Sequence, residues 1–370
     1  MSSPDVAWMS LACELALEGQ NSTTPNPRVG CVLVSAGGEE VGRGFHLRAG
    51  EAHAEVNALA AAGNRARGAT AYVTLEPCNH QGRTGACSEA LISAGVAEVV
   101  YGMRDPNPLV AGRGLQRLRD AGIQVRGPVS EAQCRDLNPG FILRMTEGRP
   151  LVRCKMAASM DGRTAMSNGD SQWITGPAAR ADVQRWRARS CAIITGVGTV
   201  LHDDPALTVR DPELGENPRQ PLRVVLDSHL RTPENAKILR QSLGQTVIAT
   251  CSLSRPAALA SHIWALPSHK AQVDLNALIS RLAQHQCNEV LIEAGAAVAG
   301  SFLQAGLIDE LIIYVAPTLM GSAARPMFEL PLQNMSERLM LECLDVSRVG
   351  DDWRFCARPK GLRTAITPLN

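Results

Sequence analysis

Apolar residues recur along this chain in two rhythms, one helical and one strand-like. They keep helical spacing over residues 5–18 and stop at Gly19. Residues 29–35 form a short apolar run, and 40–46 make its hairpin partner across Gly37-Gly38. An alanine-rich helix is expected over 53–62, stopped by Gly63, then a strand over 71–75 that leads straight into Glu76-Pro77-Cys78. A helix over 88–94 closes at Gly95 and is followed by a strand over 96–101, a helix over 112–121 and a strand over 123–126. This alternation predicts an α/β sheet with helices on its faces.

Residues 128–148 read as a connector, with a helical piece over 130–137, a break at Asn138-Pro139-Gly140 and a turn at Gly148-Arg149-Pro150. The domain boundary is expected between 146 and 150, giving domains 1–147 and 148–370. A second α/β rhythm then begins. Strands are expected over 151–157, 191–195, 222–227, 246–250, 289–293 and 310–315, with a helix over 298–304 after Gly295. Residues 341–348 and 353–357 close the chain as a hairpin around Gly350-Asp351-Asp352. No internal repeat or low-complexity tract interrupts the pattern.

With 370 residues the chain exceeds one ordinary core, so two domains are the default. Basic and acidic residues balance, 37 against 36, and aromatics make up 4%, which gives no support to a nucleic-acid partner. No apolar run reaches the length of a membrane span, and residues 1–8 lack the features of a secretory signal. The 11 cysteines have no disulfide-framework spacing, which points to reduced thiols and a cytoplasmic setting. Cys13, Cys31, Cys134, Cys154, Cys191, Cys251, Cys287, Cys343 and Cys356 mostly sit in apolar runs and read as small core hydrophobes.

The remaining two cysteines carry chemistry. His53, Cys78 and Cys87 make a three-ligand zinc set, which leaves a fourth position open as catalytic zinc requires. Glu55 is not needed as a ligand, and it is the group such a site needs to carry protons. The histidine falls at a helix start, and Cys78 and Cys87 both lie near the start of the next helical region, where the helix dipole favours thiolate. A lone His-x-Glu or Pro-Cys is common by chance. Their order here, with a strand between, describes a hydrolytic deaminase of the cytidine-deaminase type. Eight residues separate the two cysteines where the common pattern has two, and His80 within that loop is a further ligand or substrate candidate. A zinc-stapled binding protein would need a fourth ligand and leaves Glu55 without a purpose. A nucleic-acid or nucleoside deaminase would want a basic, aromatic face.

In the second half, Thr195-Gly196-Val197-Gly198-Thr199 and Glu293-Ala294-Gly295 each join a strand to a glycine turn and a helix. Free amides at such a helix start suit a pyrophosphate, although a tight connection alone would look the same. Arg187 and Arg210 offer guanidinium groups suited to a phosphate, and Asp161 and Asp203 are alternatives for a proton donor.

Longer motifs extend these fragments. Thr24-Pro25-Asn26-Pro27-Arg28-Val29-Gly30, Gly50-Glu51-Ala52-His53-Ala54-Glu55 and Glu76-Pro77-Cys78-Asn79-His80-Gln81-Gly82-Arg83-Thr84 stand in the first half. Ala158-Ser159-Met160-Asp161-Gly162-Arg163, Ser171-Gln172-Trp173-Ile174-Thr175 and Asp203-Asp204-Pro205-Ala206-Leu207-Thr208-Val209-Arg210 stand in the second. Over residues 5–360 the chain resembles the bifunctional riboflavin-biosynthesis deaminase/reductase family. The resemblance implies a cytidine-deaminase-like αβα domain followed by a dihydrofolate-reductase-like α/β domain, one zinc ion per chain, NADPH, and a homo-oligomer, dimer or tetramer. It implies zinc ligation by His53, Cys78 and Cys87, proton transfer by Glu55 and ring recognition by Asn26. It further implies cofactor contacts at Ala157, Trp173, Thr199, Asp203, Ser228, Gly295, Ala296 and Ser301. Substrate contacts would fall at Ser171, Arg187, Leu207, Arg210 and Glu293. The implied substrate is a small pyrimidine ribosyl phosphate. Two departures stand out: Gly85-Ala86 replaces a proline pair before Cys87, and Ala296 follows Gly295 in the cofactor turn. A deaminase with an inactive reductase half is disfavoured by the intact Ser171-Gln172-Trp173 and Asp203-Asp204-Pro205 stretches.

Overall fold

Glycine decides how closely helices approach the first sheet. The computed structural model describes residues 3–79, 85–108, 110–254 and 256–361, which form two units, Met1–Gly148 and Arg149–Asn370. The first unit runs α1 (Ser3–Glu18), β1 (Gly30–Val34), β2 (Glu40–Phe45), α2 (Ala54–Ala62), β3 (Thr70–Leu75) and α3 (Cys87–Ala94). It continues with β4 (Glu98–Met103), α4 (Arg113–Asp120), β5 (Gln124–Arg126), α5 (Glu131–Asp136) and α6 (Pro139–Glu147). Sheet order is β2-β1-β3-β4-β5, antiparallel across β2, β1 and β3 and parallel from β3 to β5. Strand β1 is buried throughout, with α1 and α2 packed against it. A Cβ on Gly30 would lie 1.9 Å from the Ala12 carbonyl of α1. One on Gly44 would lie 2.5 Å from the Ala58 amide of α2. Bare backbone at these positions lets both helices lie flat on the strands.

Two expectations shift here. Strand β4 begins at Glu98 and runs to Met103, because Val96 and Ala97 are taken up in closing the turn after α3 and Met103 pairs with Leu75. The supposed break at Asn138-Pro139-Gly140 starts a helix instead. Pro139 occupies the first turn of α6, where its missing N–H is no loss, and Gly140, Phe141, Ile142 and Leu143 are buried. The Asn138 amide exchanges two 2.8 Å hydrogen bonds with the backbone of Arg28, bracing the segment that carries Asn26.

The second unit begins with β6 (Leu151–Ser159), β7 (Arg163–Ala165), α7 (Pro177–Arg189), β8 (Ala192–Gly196), α8 (Val197–Asp203), β9 (Leu222–Leu226) and β10 (Thr246–Thr250). After these come β11 (Ile263–Ala265), β12 (Ser268–His269), β13 (Gln272–Val273), α9 (Leu275–Gln284), β14 (Glu289–Ile292) and α10 (Ala296–Gln304). The last strands are β15 (Glu310–Ala316), β16 (Arg325–Pro326), β17 (Leu341–Val349) and β18 (Asp352–Pro359). Nine strands form one sheet in the order β11-β10-β9-β8-β14-β6-β15-β18-β17. It is parallel as far as β15, and the closing hairpin joins antiparallel. Strands β8, β10 and β14 are buried at every position, as expected of parallel strands covered on both faces. The C-terminal ends of the parallel strands lead into α8 and α10, the crevice where such sheets hold ligands.

Strand β17 is largely exposed, and Cys343 on it is exposed rather than core; Cys191, Cys251 and Cys356 are only partly buried. Among the described residues no helix is long and apolar enough to cross a membrane.

Candidate active sites

In the first unit three elements deliver the candidate metal-binding set. His53 is the N-cap of α2, Cys78 follows the end of β3, and Cys87 is the first residue of α3. His53 Nδ1 lies 3.2 Å from Cys87 Sγ and 3.6 Å from Cys78 Sγ, and the three ligand atoms fall within 4.8 Å of one another. Tetrahedral zinc with ordinary Zn–N and Zn–S bonds sets such atoms about 3.6 Å apart, so the donor set fits that ion. It is the one such grouping among the described residues. His80, the further candidate in the intervening loop, lies outside the described residues, as does Thr84.

The neighbouring Cys87 thiol and burial act in opposite senses on Cys78, leaving it well below the ordinary thiol range, while Cys87 is raised. The Cys87 amide, at the start of α3, donates to Cys78 Sγ at 3.4 Å. Glu55, in the first turn of α2, is 3% exposed. Burial, with the Cys78 charge beside it, pushes its carboxyl up to about 7.

Asn26 reaches the cluster through His46. The His46 Nδ1–H donates to the Ala52 carbonyl at 3.0 Å, so Nε2 accepts from the Asn26 Nδ2–H at 3.0 Å. The His46 ring meets His53 edge-on, centroids 4.9 Å apart. The sequence assigned no role to His46 or, within its motif, to Glu76. The buried Glu76 carboxylate accepts from the backbone N–H groups of Asp105, Gly112 and Gly114 at 3.3, 3.0 and 3.1 Å. It thereby secures the start of α4 beside the segment that precedes Cys78.

In the second unit, every cofactor and substrate candidate named for this half lines one cavity of about 2040 Å³. It lies over the C-terminal ends of β6, β8, β9 and β14. A Cβ on Gly198 or Gly295 would meet nothing within 4 Å, so both glycine turns present open backbone. Gly295 caps α10, whose first residues line the cavity, an arrangement suited to a pyrophosphate. Trp173 is 68% exposed, with the Arg180 guanidinium 4.6 Å from its ring. The Ser228 and Ser301 hydroxyls already donate within the chain, to Gln272 and to the Ala297 carbonyl.

Arg187 and Glu293 are brought together rather than left separate. Their paired hydrogen bonds measure 2.6 and 2.9 Å, and Arg187 Nη1 donates to the Thr208 carbonyl at 3.2 Å. Arg210 is exposed on the wall. Asp161 does not line the cavity; its carboxylate braces a turn by accepting from the Gly321 and Met320 amides at 2.8 and 3.1 Å. Lys155 on β6 lines the cavity, and burial lowers its pKa while Glu293 opposes that shift. A lysine directly before the apolar run Met156-Ala157-Ala158 of this strand was the signal that could have marked it.

An open His-Cys-Cys cluster over a buried glutamate, joined in one chain to a parallel sheet with a dinucleotide-sized cavity, defines a zinc deaminase fused to a reductase. Comparison with known proteins agrees. Residues 2–103 match the cytidine and deoxycytidylate deaminase zinc-binding region, and residues 150–355 match the RibD C-terminal domain. The chain belongs to the RibD family of bifunctional riboflavin-biosynthesis proteins. Riboflavin biosynthesis protein RibD of Escherichia coli (strain K12) is 50% identical over 359 residues, covering 94% of this chain and 97% of the relative. That of Haemophilus influenzae is 45% identical over 377 residues, covering 98% and 99%. Acinetobacter baumannii RibD superposes with a TM-score of 0.89 at 47% identity, over 96% of this chain and 99% of that one. A diaminohydroxyphosphoribosylaminopyrimidine deaminase/5-amino-6-(5-phosphoribosylamino)uracil reductase of Thermotoga maritima gives 0.85 at 32% identity, over 96% and 99%.

Proposed function

We propose that the two clusters of residues divide two consecutive steps of riboflavin biosynthesis between them. The first unit hydrolyses the 2-amino group of 2,5-diamino-6-ribosylamino-4(3H)-pyrimidinone 5′-phosphate. The second reduces the ribosyl side chain of the product with NADPH, giving 5-amino-6-ribitylaminouracil 5′-phosphate. The observation that carries the reading is the His53, Cys78 and Cys87 set beside the buried Glu55.

Bound zinc supplies a Lewis acid that makes water nucleophilic near neutral pH, and NADPH supplies the reducing equivalents. His53, Cys78 and Cys87 would hold the metal. Glu55, with a carboxyl near 7, takes a proton from the attacking water. It delivers that proton to the ring nitrogen, then carries the second proton from the hydroxyl left on the tetrahedral carbon to the amino group, which departs as ammonia. Asn26, held by His46, steadies the pyrimidine ring. In the second unit Gly295 and the start of α10 hold the pyrophosphate. Arg210 meets the substrate phosphate, Arg187 and Glu293 shape the ribosyl pocket, and Asp203 and Lys155 stand on its wall.

Self-association belongs to the same reading. The outer hairpin leaves Val346, Trp353 and Phe355 at 46%, 44% and 36% exposure on one sheet face, and a second copy of the chain is the occupant that fits. A cytoplasmic setting keeps Cys78 and Cys87 reduced and able to bind metal.

The test is mass spectrometry of the diaminopyrimidinone ribosyl phosphate after incubation with zinc-loaded protein, with and without NADPH. Loss of the amino group without NADPH and a further two-hydrogen gain with it are expected, the first abolished by Glu55→Gln. No turnover under either condition would overturn the reading.

A further inference from the structure

The segment 171–175 lines the cavity of the second unit and carries Ser171 and Trp173, yet it lies between β7 and α7 and belongs to no strand or helix. Its shape therefore depends on groups that hold it from outside. One of them comes from the far end of the chain. Asp352, the first residue of β18, is 2% exposed and does not line the cavity. Its carboxylate accepts the Gly176 N–H at 2.7 Å. Gly176 is the N-cap of α7, so this carboxylate also stands at the positive end of a helix of 13 residues. The turn that delivers Asp352 is pressed against the same helix. A Cβ on Gly350, whose φ is 65°, would lie 2.7 Å from Ala178 Cβ.

Arg180 holds the other side of the same peptide group. Its Nη1 donates to the Thr175 carbonyl at 2.7 Å, and its guanidinium stands 4.6 Å from the Trp173 ring. The Thr175 carbonyl and the Gly176 N–H belong to one planar unit. With its oxygen held by Arg180 and its N–H held by Asp352, that plane cannot rotate freely, and the residues just before it inherit its orientation. A second tie grips α7 further along. Arg354, two residues beyond Asp352 on β18, donates to the Asp182 carboxylate at 2.8 Å, and the Tyr314 hydroxyl donates to the same oxygen at 2.6 Å. Asp182 does not line the cavity, and its partners touch the helix rather than the segment before it.

We propose that Asp352 is a positioning residue of the reduction step: it fixes the Thr175–Gly176 peptide and so holds Ser171 and Trp173 on the cavity wall. This rests on the reductase reading given above. It adds to that reading a residue that acts through the backbone and reaches the cavity only through the segment it holds. Without the carboxylate the peptide is held by its oxygen alone. The segment then samples other orientations, and part of the binding energy of cofactor and substrate is spent on ordering it.

The test compares Asp352→Ala, Asp352→Asn and Asp182→Asn in the full chain, by thermal melt, by fluorescence titration with NADPH and by steady-state reduction of the deaminated substrate. Asp352→Ala should raise the NADPH Kd and the substrate KM about 10-fold each, with kcat within about threefold, the mark of lost uniform binding. Asp352→Asn should return both constants to within about threefold of wild type, because its amide oxygen accepts the same N–H. Asp182→Asn should lower the melting temperature without moving either constant. Asp352→Ser, whose short hydroxyl keeps the position polar without reaching Gly176, carries the same expectation as Asp352→Ala and takes its place if that variant does not fold. Wild-type constants in Asp352→Ala or Asp352→Ser would overturn the proposal. So would an Asp182→Asn that weakens binding as much, since the effect would then be a general loosening of α7. A wild type that neither binds NADPH nor reduces the substrate would overturn the reductase reading, and the role of Asp352 with it.

Discussion

Arg187 on α7 and Glu293 at the end of β14 form a two-hydrogen-bond ion pair, Nε to Oε1 at 2.6 Å and Nη2 to Oε2 at 2.9 Å. Their side chains are 12% and 8% exposed. Burial alone would raise the Glu293 carboxyl, but the Arg187 charge and hydrogen bonds hold it below the usual range. A depressed carboxyl pKa stabilises the fold above the unfolded value, about 4.3, and loses that contribution as pH falls through the folded one. Glu293→Gln leaves the Arg187 charge buried without its counter-charge. The expected cost to the second unit is about 3–5 kcal/mol, read as a lower urea midpoint at pH 7. The difference from wild type should shrink at acid pH.

Because Glu293 occupies the planar fork of Arg187, the exposed Arg210 is the better grip for substrate phosphate. Arg210→Ala should leave the melting temperature unchanged and raise the KM of the reduction step about 10- to 100-fold, the scale of a lost charge-assisted hydrogen bond. Its kcat should stay within about threefold, the mark of a uniform binding contact. Steady-state reduction rates against substrate concentration check this.

Metal removal should unmask Cys78. With zinc stripped, the neighbouring Cys87 thiol and the His53 ring keep Cys78 largely as thiolate below neutral pH. An ordinary thiol, with a pKa of about 8.5, is almost wholly protonated at pH 6. Iodoacetamide at pH 6 should therefore label Cys78 before any other cysteine in the apoprotein, and added zinc should protect it. Peptide mass spectrometry reads the labelled position. Equal labelling of Cys78 and the exposed Cys343 would contradict the lowered Cys78 thiol.

The candidate metal set that the structure brings together was legible in the sequence because zinc demands particular side chains wherever the fold places them, and the flanking strand and helix starts were visible in the apolar rhythm. What stayed hidden depends on partners far apart in the chain. Arg187 looked like a phosphate ligand because Glu293, 106 residues away, gave no local sign of pairing with it. Pro139 read as a break although a first-turn proline begins a helix, and only the buried Phe141-Ile142-Leu143 face of α6 decides between the two. Glu76 lay beside a ligand, yet its role as acceptor for the α4 amides depends on a chain reversal that periodicity does not encode. The amino acids of β17 suit a strand, but its exposure depends on which neighbours cover it.

That exposure gives a prediction of its own. Val346 and Phe355 are directly paired across β17 and β18, and Trp353 projects on the same face. Replacing both Val346 and Phe355 by lysine sets like charges opposite each other on a patch that a second chain would have to dehydrate. Sedimentation should show wild type as a dimer or larger and the variant as monomer. Zinc content and deamination, which belong to the other unit, should be retained. A variant that sediments like wild type would remove this face from the assembly.

Backbone packing is coupled to chemistry at Gly44. It stands on β2 beneath α2, the helix capped by His53 and carrying Glu55 in its first turn. A Cβ there would come 2.5 Å from the Ala58 amide nitrogen and 2.7 Å from the Ala54 carbonyl oxygen. Both are backbone atoms of a regular helix, so no side-chain rotation relieves the contact, and α2 must lift off the sheet. Overpacking of this kind costs about 1–3 kcal/mol. The catalytic loss should be larger than that cost suggests, because displacing Glu55 and His53 by even part of an ångström relative to Cys78 and Cys87 spoils proton transfer and metal geometry together. Gly44→Ala should therefore lower deamination at least about tenfold and weaken zinc retention against a chelator, while NADPH-dependent reduction of the deaminated substrate continues at the wild-type rate. Unchanged deamination would mean that α2 yields without moving its first turn, and that the glycines of β2 serve packing alone.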